Sequence, residues 1–332
     1  MRKLLFTAAL ATLVWAAFAV PLPVLVLEPH PAEQVESIID LQETSDEISG
    51  QILFTAVELR PTTTADAAKA AVDPFRELTL PPMLFRGGGG GGGVDFLEAQ
   101  LRLFRESVQI SAAVGLRAAG HDVQVSGEGV RVVGVLQESS ARDVLREGDV
   151  IVEANGRPME LATQLATMTS RLSPGAEIEL TVQRGQQQRE VVVTVRRLEA
   201  TGSVGIGIGV TTVGLQIELP IDVAPADGAQ IGGPSAGLMM ALTVYDLVDP
   251  DDLTGGRIVA GTGTIDLDGN VGVVDGIAEK VRGAQLAGAT VFLVPEMQAD
   301  EAIDAAPEGI EVLPVSTFDD ALAALQAPDT DS

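Results

Sequence analysis

Residues 231–242, IGGPSAGLMMAL, join a Gly-Gly-Pro turn to an apolar helix and put Ser235 at the joint. From Gly233 to Gly237 the segment fits G-x-S-x-G, in which a serine nucleophile on a sharp turn is served by a histidine further along the chain. Pro234 suits a helix start, where the missing N–H needs no partner. Ser235 then falls in the first turn of a helix running SAGLMMALTVYDLV, whose amides and dipole favour a developing oxyanion. A capping serine is the non-catalytic reading of the same position. Only two histidines exist, His30 and His121, and both precede Ser235. That order excludes an α/β-hydrolase esterase, so a catalytic Ser235 needs a different base.

Positive charge offers a clue to that base. The chain has three lysines, Lys3, Lys69 and Lys280, and every other basic residue is arginine. Arginine does not deprotonate in a protein, whereas a desolvated lysine becomes a neutral base near neutral pH. Arginine-biased composition accounts for the scarcity equally well. The 47 acidic residues against 21 basic give a formal net charge of −26, which disfavours nucleic acid and anionic lipid surfaces. A saline habitat and a need for solubility both fit that acidity. The absence of cysteine excludes disulfides, thiolate catalysis and cysteine-bound zinc.

At 332 residues and 46% hydrophobic content, the chain is long enough for two domains. It starts MRKLLFTAALATLVWAAFAVPLPVLVLEPHP: Arg2 and Lys3, then no charge until Glu28, a length that spans a bilayer. The positive residues stay cytoplasmic, which places the remainder outside. Ala17-Phe18-Ala19 matches a signal-peptidase site, and Pro21 and Pro23 end a regular helix, so anchor and cleaved signal are both open. The VLVL run after the prolines favours an uncleaved single-pass anchor over residues 1–28. Residues 29–122 hold a polar acidic stretch, the strand-like GQILFTAVEL, an Ala-rich helix around Ala65–Val72 and the glycine run 87–93. That run lacks the Gly-Lys-Ser/Thr ending of a phosphate loop and reads as a linker. Helical spacing covers 95–119, ending at Gly120.

From 123 to 198 the pattern changes to short strands, GVRVVGV, IELTVQR and REVVVTVRR, with a helix around Glu160–Leu172. With Gly148-Asp149-Val150-Ile151 and Asn155-Gly156, this segment resembles a bacterial-type PDZ domain. Such domains bind an extended peptide as an added strand and capture its C-terminal carboxylate on backbone amides. The resemblance implies a carboxylate loop near Gly127 and Gly129 and an accepting edge over 130–135, including Val130 and Val132. The helix forms the other wall. A packing module with a blocked groove is the alternative.

Residues 199–326 alternate strands and helices, an α/β pattern in which VGIGIGV, LQIEL and TVFLVP are strands and a helix beginning near Gly276 carries Lys280. The serine segment, Gly261-Thr262-Gly263, the Asp268-Gly269 turn, Glu279-Lys280 and the strand ending at Pro295 resemble the Lon-type serine protease domain. With the apolar start and internal PDZ, the whole chain resembles the membrane-anchored, PDZ-containing Lon-like proteases of Gram-positive bacteria. The resemblance implies an α/β protease domain over 199–326 that packs with residues 29–122, a mainly-β PDZ domain, and a tail over 327–332 left disordered.

It further implies a Ser–Lys dyad with Ser235 as nucleophile and Lys280 as general base. Thr262 orients the amine, and Gly233, Pro234, Ala236 and Gly237 form the nucleophile and oxyanion loop. Many Lon domains carry an aspartate where this chain has Gly232. The expected function is ATP-independent cleavage of unfolded or membrane-associated proteins, since no G-x-x-x-x-G-K-[ST] occurs in the chain. No metal or cofactor is required. The expected partners are protein or peptide substrates with C-terminal tails, with no nucleic acid. The expected location is the extracytoplasmic side of the cell membrane, and a homo-oligomer is left open. An anchored PDZ adaptor with an inactive Lon-like domain is the alternative.

Overall fold

In the computed structural model, which describes residues 21–41, 49–73, 75–79, 92–137, 139–198, 204–229, 231–249 and 252–326, the chain forms two compact units. One joins the described residues up to 122 to those from 219 onward, and the other is 123–218.

The first unit begins with strand β1 (Pro21–Pro29), followed by β2 (Gln51–Phe54), β3 (Val57–Thr63) and β4 (Glu77–Thr79). β1 pairs antiparallel with both β3 and β4, and Val26 at its centre is fully buried. The VLVL run is therefore a sheet strand, which corrects the expected anchor through residue 28. Its backbone groups are satisfied by two neighbouring strands, whereas a membrane helix satisfies them within itself. Residues 1–20, the rest of the expected anchor or signal, lie outside the described residues. Among the described residues no helix is long and apolar enough to cross a membrane. The carboxylate of Glu28 on β1 is gripped by Arg60 and Arg76, with Arg76 Nη1 at 2.6 Å.

GQILFTAVEL, expected as one strand, is split into β2 and β3, which enter different sheets. The break at Thr55 has a local cause: its buried hydroxyl donates to the Gly261 carbonyl at 3.0 Å, holding the chain down after β2. Helix α1 (Gly92–Ala118) follows and ends at Gly120, whose φ of 84° lies in the left-handed region that glycine favours. It takes in the expected helix and the last two residues of the glycine run; the rest of that run is outside the described residues.

The second unit contains β5 (Gly129–Val135), β6 (Val150–Ala154), helix α2 (Ala162–Ser170), β7 (Glu177–Arg184), β8 (Gln187–Thr194) and β9 (Ile208–Val213). The strands are ordered β8-β7-β6-β5-β9 and bury a core including Val130, Val132, Ile151, Leu165 and Ile178. The Asp149 carboxylate is buried beneath Arg184, whose Nε donates to it at 2.7 Å. That hydrogen-bonded guanidinium holds its pKa below the ordinary carboxylate range. The expected boundary at 198/199 falls inside this unit, because β9 completes the sheet along β5 in the register Thr212↔Val130.

The chain then returns to the first unit with α3 (Gly237–Val248), β10 (Ile258–Gly261), α4 (Ile277–Leu286), β11 (Val291–Pro295) and β12 (Glu311–Val315). Strands β2, β10, β11 and β12 are parallel neighbours, and the short strand Glu33–Gln34 pairs antiparallel with β2. Both faces of such a sheet must be covered, which explains the uninterrupted apolar run of β11. Ile277, Val281 and Ala284 of α4 pack on one face with Leu53, Phe292 and Val294.

Helix α3 is buried along nearly its whole length and lies against α1. Gly115 of α1 makes that contact possible: a Cβ there would sit 2.5 Å from the Ala241 carbonyl oxygen. Glycine to alanine inside a helix ordinarily gains about 1 kcal/mol. Here backbone contact reverses the sign, and Gly115→Ala is expected to destabilise the chain by about 1–3 kcal/mol in urea unfolding.

Candidate active site

The turn carrying Ser235 is held from both sides. Gly233 adopts φ 83°, and its N–H donates to the Gln100 carbonyl of α1 at 3.0 Å. Ser107 and Ser111 of α1 donate their hydroxyls to the carbonyls of Pro234 (3.4 Å) and Gly237 (2.9 Å). Helix α3 begins at Gly237, two residues later than the sequence pattern suggests, so Ser235 sits in the turn before it. The Ser235 carbonyl accepts from the Gly263 amide at 2.9 Å and from Thr262 Oγ1 at 3.1 Å.

Thr262 connects this turn to the lysine. It follows the end of β10, is fully buried, and its amide donates to the Leu293 carbonyl at 3.0 Å. Lys280 on α4 is 2% exposed, and its Nζ donates to Thr262 Oγ1 at 2.8 Å. A threonine hydroxyl has one proton. Because Thr262 directs it to the Ser235 carbonyl, its oxygen must accept from the amine. Burial lowers the Lys280 pKa to about 8, against a smaller opposing effect of Asp275. Near neutrality the group is therefore mostly ammonium with a minor neutral fraction, and it is that neutral amine that can take up a proton from a neighbouring group.

Ser235 and Lys280 line one cleft of ≈ 570 Å³, together with residues 54–58, 227–229 and 231–232. His30 and Glu33 also line it, with His30 Nε2 2.9 Å from Glu33 Oε1. Nothing in the spacing of the sequence connected His30 to Ser235; tertiary folding alone brings it there. Of the expected oxyanion loop, the Gly233 amide is engaged by Gln100 and the Gly237 amide by the Pro234 carbonyl at 3.1 Å. Pro234 has no N–H. The amides of Ser235 and Ala236 have no acceptor among the described residues. At Gly232, where many Lon domains carry aspartate, a Cβ would lie 2.8 Å from Gln100 Cβ, so α1 leaves no room for a side chain.

The expected peptide-binding residues of the second unit separate into two groups. Gly127 is tightly packed, with a Cβ there meeting the Glu160 carbonyl at 2.4 Å, and the Gly129 amide donates to that carbonyl at 3.3 Å. Val130 and Val132 are fully buried on β5, which pairs with β6 on one edge and β9 on the other. Both edges of β5 are thus taken at Val130 and Val132, which corrects the assignment of these two residues to an accepting edge. The end strands are β8 and β9; β9 is the one preceded by Gly205-Ile206-Gly207 and reached by α2, where the Ala162 amide donates to Thr212 Oγ1 at 3.0 Å. The alternating glycines of VGIGIGV were the available signal. Among the described residues no cluster of His, Asp and Glu suited to a metal ion is present.

A mixed α/β unit bearing a buried amine and a serine turn, with a mainly-β unit inserted in its sequence, is the class these observations define. Residues 114–195 match the PDZ domain family, and 197–327 match the Lon protease (S16) C-terminal proteolytic domain. Lon protease 2 of Bacillus subtilis is 27% identical over 250 residues, covering 69% of this chain and 43% of that protein. Lon protease of Rickettsia felis is 28% identical over 170 residues, covering 49% of this chain and 21% of that protein. The chain thus spans less than half the length of these relatives. Among solved structures, the PDZ domain of the SdrC-like protein from Listeria monocytogenes is 24% identical, covers 25% of this chain and 87% of that one, and has a TM-score of 0.24. The chain combines a PDZ domain with a Lon C-terminal protease domain and is homologous to Lon proteases.

A buried amine lowers stability wherever it is charged. Lys280→Met is expected to stabilise the chain by about 1–3 kcal/mol near pH 7, measured by urea unfolding. The native amine loses its proton near 8 and the unfolded one near ~10.4, so the parent gains stability as pH rises through that window. The advantage of methionine should therefore shrink toward about pH 10.

Proposed function

We propose that this chain is an ATP-independent serine endopeptidase in which Ser235 is the nucleophile and Lys280 the general base. The observation that carries this reading is the buried Lys280 amine on Thr262, whose hydroxyl in turn holds the Ser235 carbonyl. The neutral amine accepts the Ser235 proton as Oγ bonds to the substrate carbonyl carbon. The resulting oxyanion is met by the amides of Ser235 and Ala236. The protonated amine returns its proton to the leaving nitrogen as the peptide C–N bond breaks. Water, deprotonated by the same amine, then hydrolyses the acyl-enzyme. Thr262 positions the amine without taking part in the transfer.

The substrates proposed for it are proteins already unfolded, or small or membrane-tethered ones. Arg2 and Lys3 before the apolar start support export, with the protease and PDZ units on the extracytoplasmic side of the cell membrane. The PDZ unit recruits substrate tails or gates access, with the tail adding as a strand to the open edge of β9 beside α2.

Mass-spectrometric detection of products from an unfolded protein mixture tests the chemistry, comparing the parent with Ser235→Ala and Lys280→Arg. Both variants are expected to lose at least about 10³-fold in kcat/KM. Arginine keeps the charge but supplies no neutral base. In the parent, kcat/KM should rise with pH to half its maximum near the Lys280 pKa of about 8. Cleavage surviving Lys280→Arg would remove lysine as the base, and cleavage by none of the three would favour a PDZ adaptor. Because β1 starts at Pro21, a soluble form must keep residues 21–29.

Filling the half-buried Val210 position on β9 tests the PDZ role. Val210→Trp is expected to slow cleavage of a substrate with a free C-terminal tail several-fold relative to the same substrate amidated at that tail. An unchanged ratio rejects recruitment through this edge.

A further inference from the structure

The charge around the candidate nucleophile is one-sided. Three carboxylates line the cleft, Glu33, Glu58 and Asp227, and they come from separate segments of the chain. His30 is already paired with Glu33. Lys280, the other basic side chain on the lining, is 2% exposed and directed to Thr262. Glu58 and Asp227 are exposed and make no side-chain hydrogen bond or salt bridge among the described residues, although Glu58 feels the charge of Arg60. Glu58 stands directly across from Glu28 on β1, but both nearby arginines, Arg60 and Arg76, are bound to Glu28. Among the described residues the cleft therefore presents two exposed carboxylates with no salt bridge of their own, within a chain of net charge −26.

We infer that this cleft selects unfolded segments carrying lysine or arginine close to the scissile bond, with Glu58 and Asp227 as the residues that set the preference. The inference rests on the proteolytic reading of the same cleft. A cationic side chain gains attraction from both carboxylates and from the long-range field, which raises its local concentration. An acidic side chain meets repulsion from the same groups. The base is unaffected in kind, because its amine must be neutral when it acts.

The test uses the full chain and three unfolded peptides, identical except for lysine, glutamine or glutamate flanking the cleaved bond. The lysine peptide should be cleaved about five- to tenfold faster than the glutamine peptide in kcat/KM, and the glutamate peptide more slowly than either. Asp227→Asn and Glu58→Gln should each reduce the lysine-to-glutamine ratio, and together bring it close to one. Neutralising Asp304 and Glu308, exposed carboxylates away from the cleft lining, should leave the ratio unchanged. Raising the salt concentration should shrink the parent's preference.

Binding of the same peptides to Ser235→Ala, followed by fluorescence anisotropy, gives a readout independent of cleavage. A parent that cleaves all three peptides equally, or a preference that survives the double variant, overturns the inference while leaving the peptidase intact. A parent that cleaves nothing sinks the peptidase reading. In that case the anisotropy ranking still decides the inference: it stands if lysine peptides bind tightest and the double variant abolishes this, and falls otherwise.

Discussion

The amine of Lys280 is taken out of water and given one hydrogen bond, to Thr262 Oγ1. That single arrangement accounts for much of the surrounding structure. A buried ammonium is costly, so burial biases the group toward its neutral form and lowers its pKa to about 8. The burial comes from α4, whose Ile277 and Val281 pack against the parallel sheet while Lys280 points to the end of β10. Thr262 is fixed by the sheet itself, its N–H donating a hydrogen bond to the Leu293 carbonyl. Of the three residues, Lys280 lies on a helix, while Ser235 and Thr262 lie in short connections held by hydrogen bonds to α1 and to β11.

On the serine side the equivalent support is α1. Its Gln100, Ser107 and Ser111 reach Gly233, Pro234 and Gly237, bracketing Ser235. Gly115 lets the two helices approach closely enough for those bonds to form. The same crowding explains why Gly232 carries no side chain. A segment ahead of the PDZ unit in sequence is thus integral to the folding of the catalytic candidate behind it. The matched protease family region begins at residue 197, well after α1.

Much of the site was legible in the sequence because its chemistry depends on residue type. A serine in a glycine turn before an apolar helix, and a lone lysine beyond residue 70, need no coordinates to be singled out. The PDZ groove was less legible. Val130 and Val132 sit in a strand with the alternation of an edge, yet alternation reports which face is buried and not whether the lateral hydrogen bonds are taken. The strand that takes them, β9, is more than seventy residues distant in the chain. Likewise, an apolar run after two prolines reads the same whether it lies in lipid or in a sheet, and pairing with β3 and β4 is what decides it.

By itself, then, the sequence determined the candidate chemistry, the presence of a strand-rich segment inside an α/β one, and the acidic charge, because each follows from composition, local pattern or the identity of single residues. Only the tertiary structure decided that residues on both sides of the insertion form one unit, that β9 holds the open edge, and that His30, Glu58 and Asp227 meet at the Ser235 cleft. Those are relations between distant segments. They arise from which backbone edges and apolar faces find each other when the core closes, and local periodicity does not encode that choice.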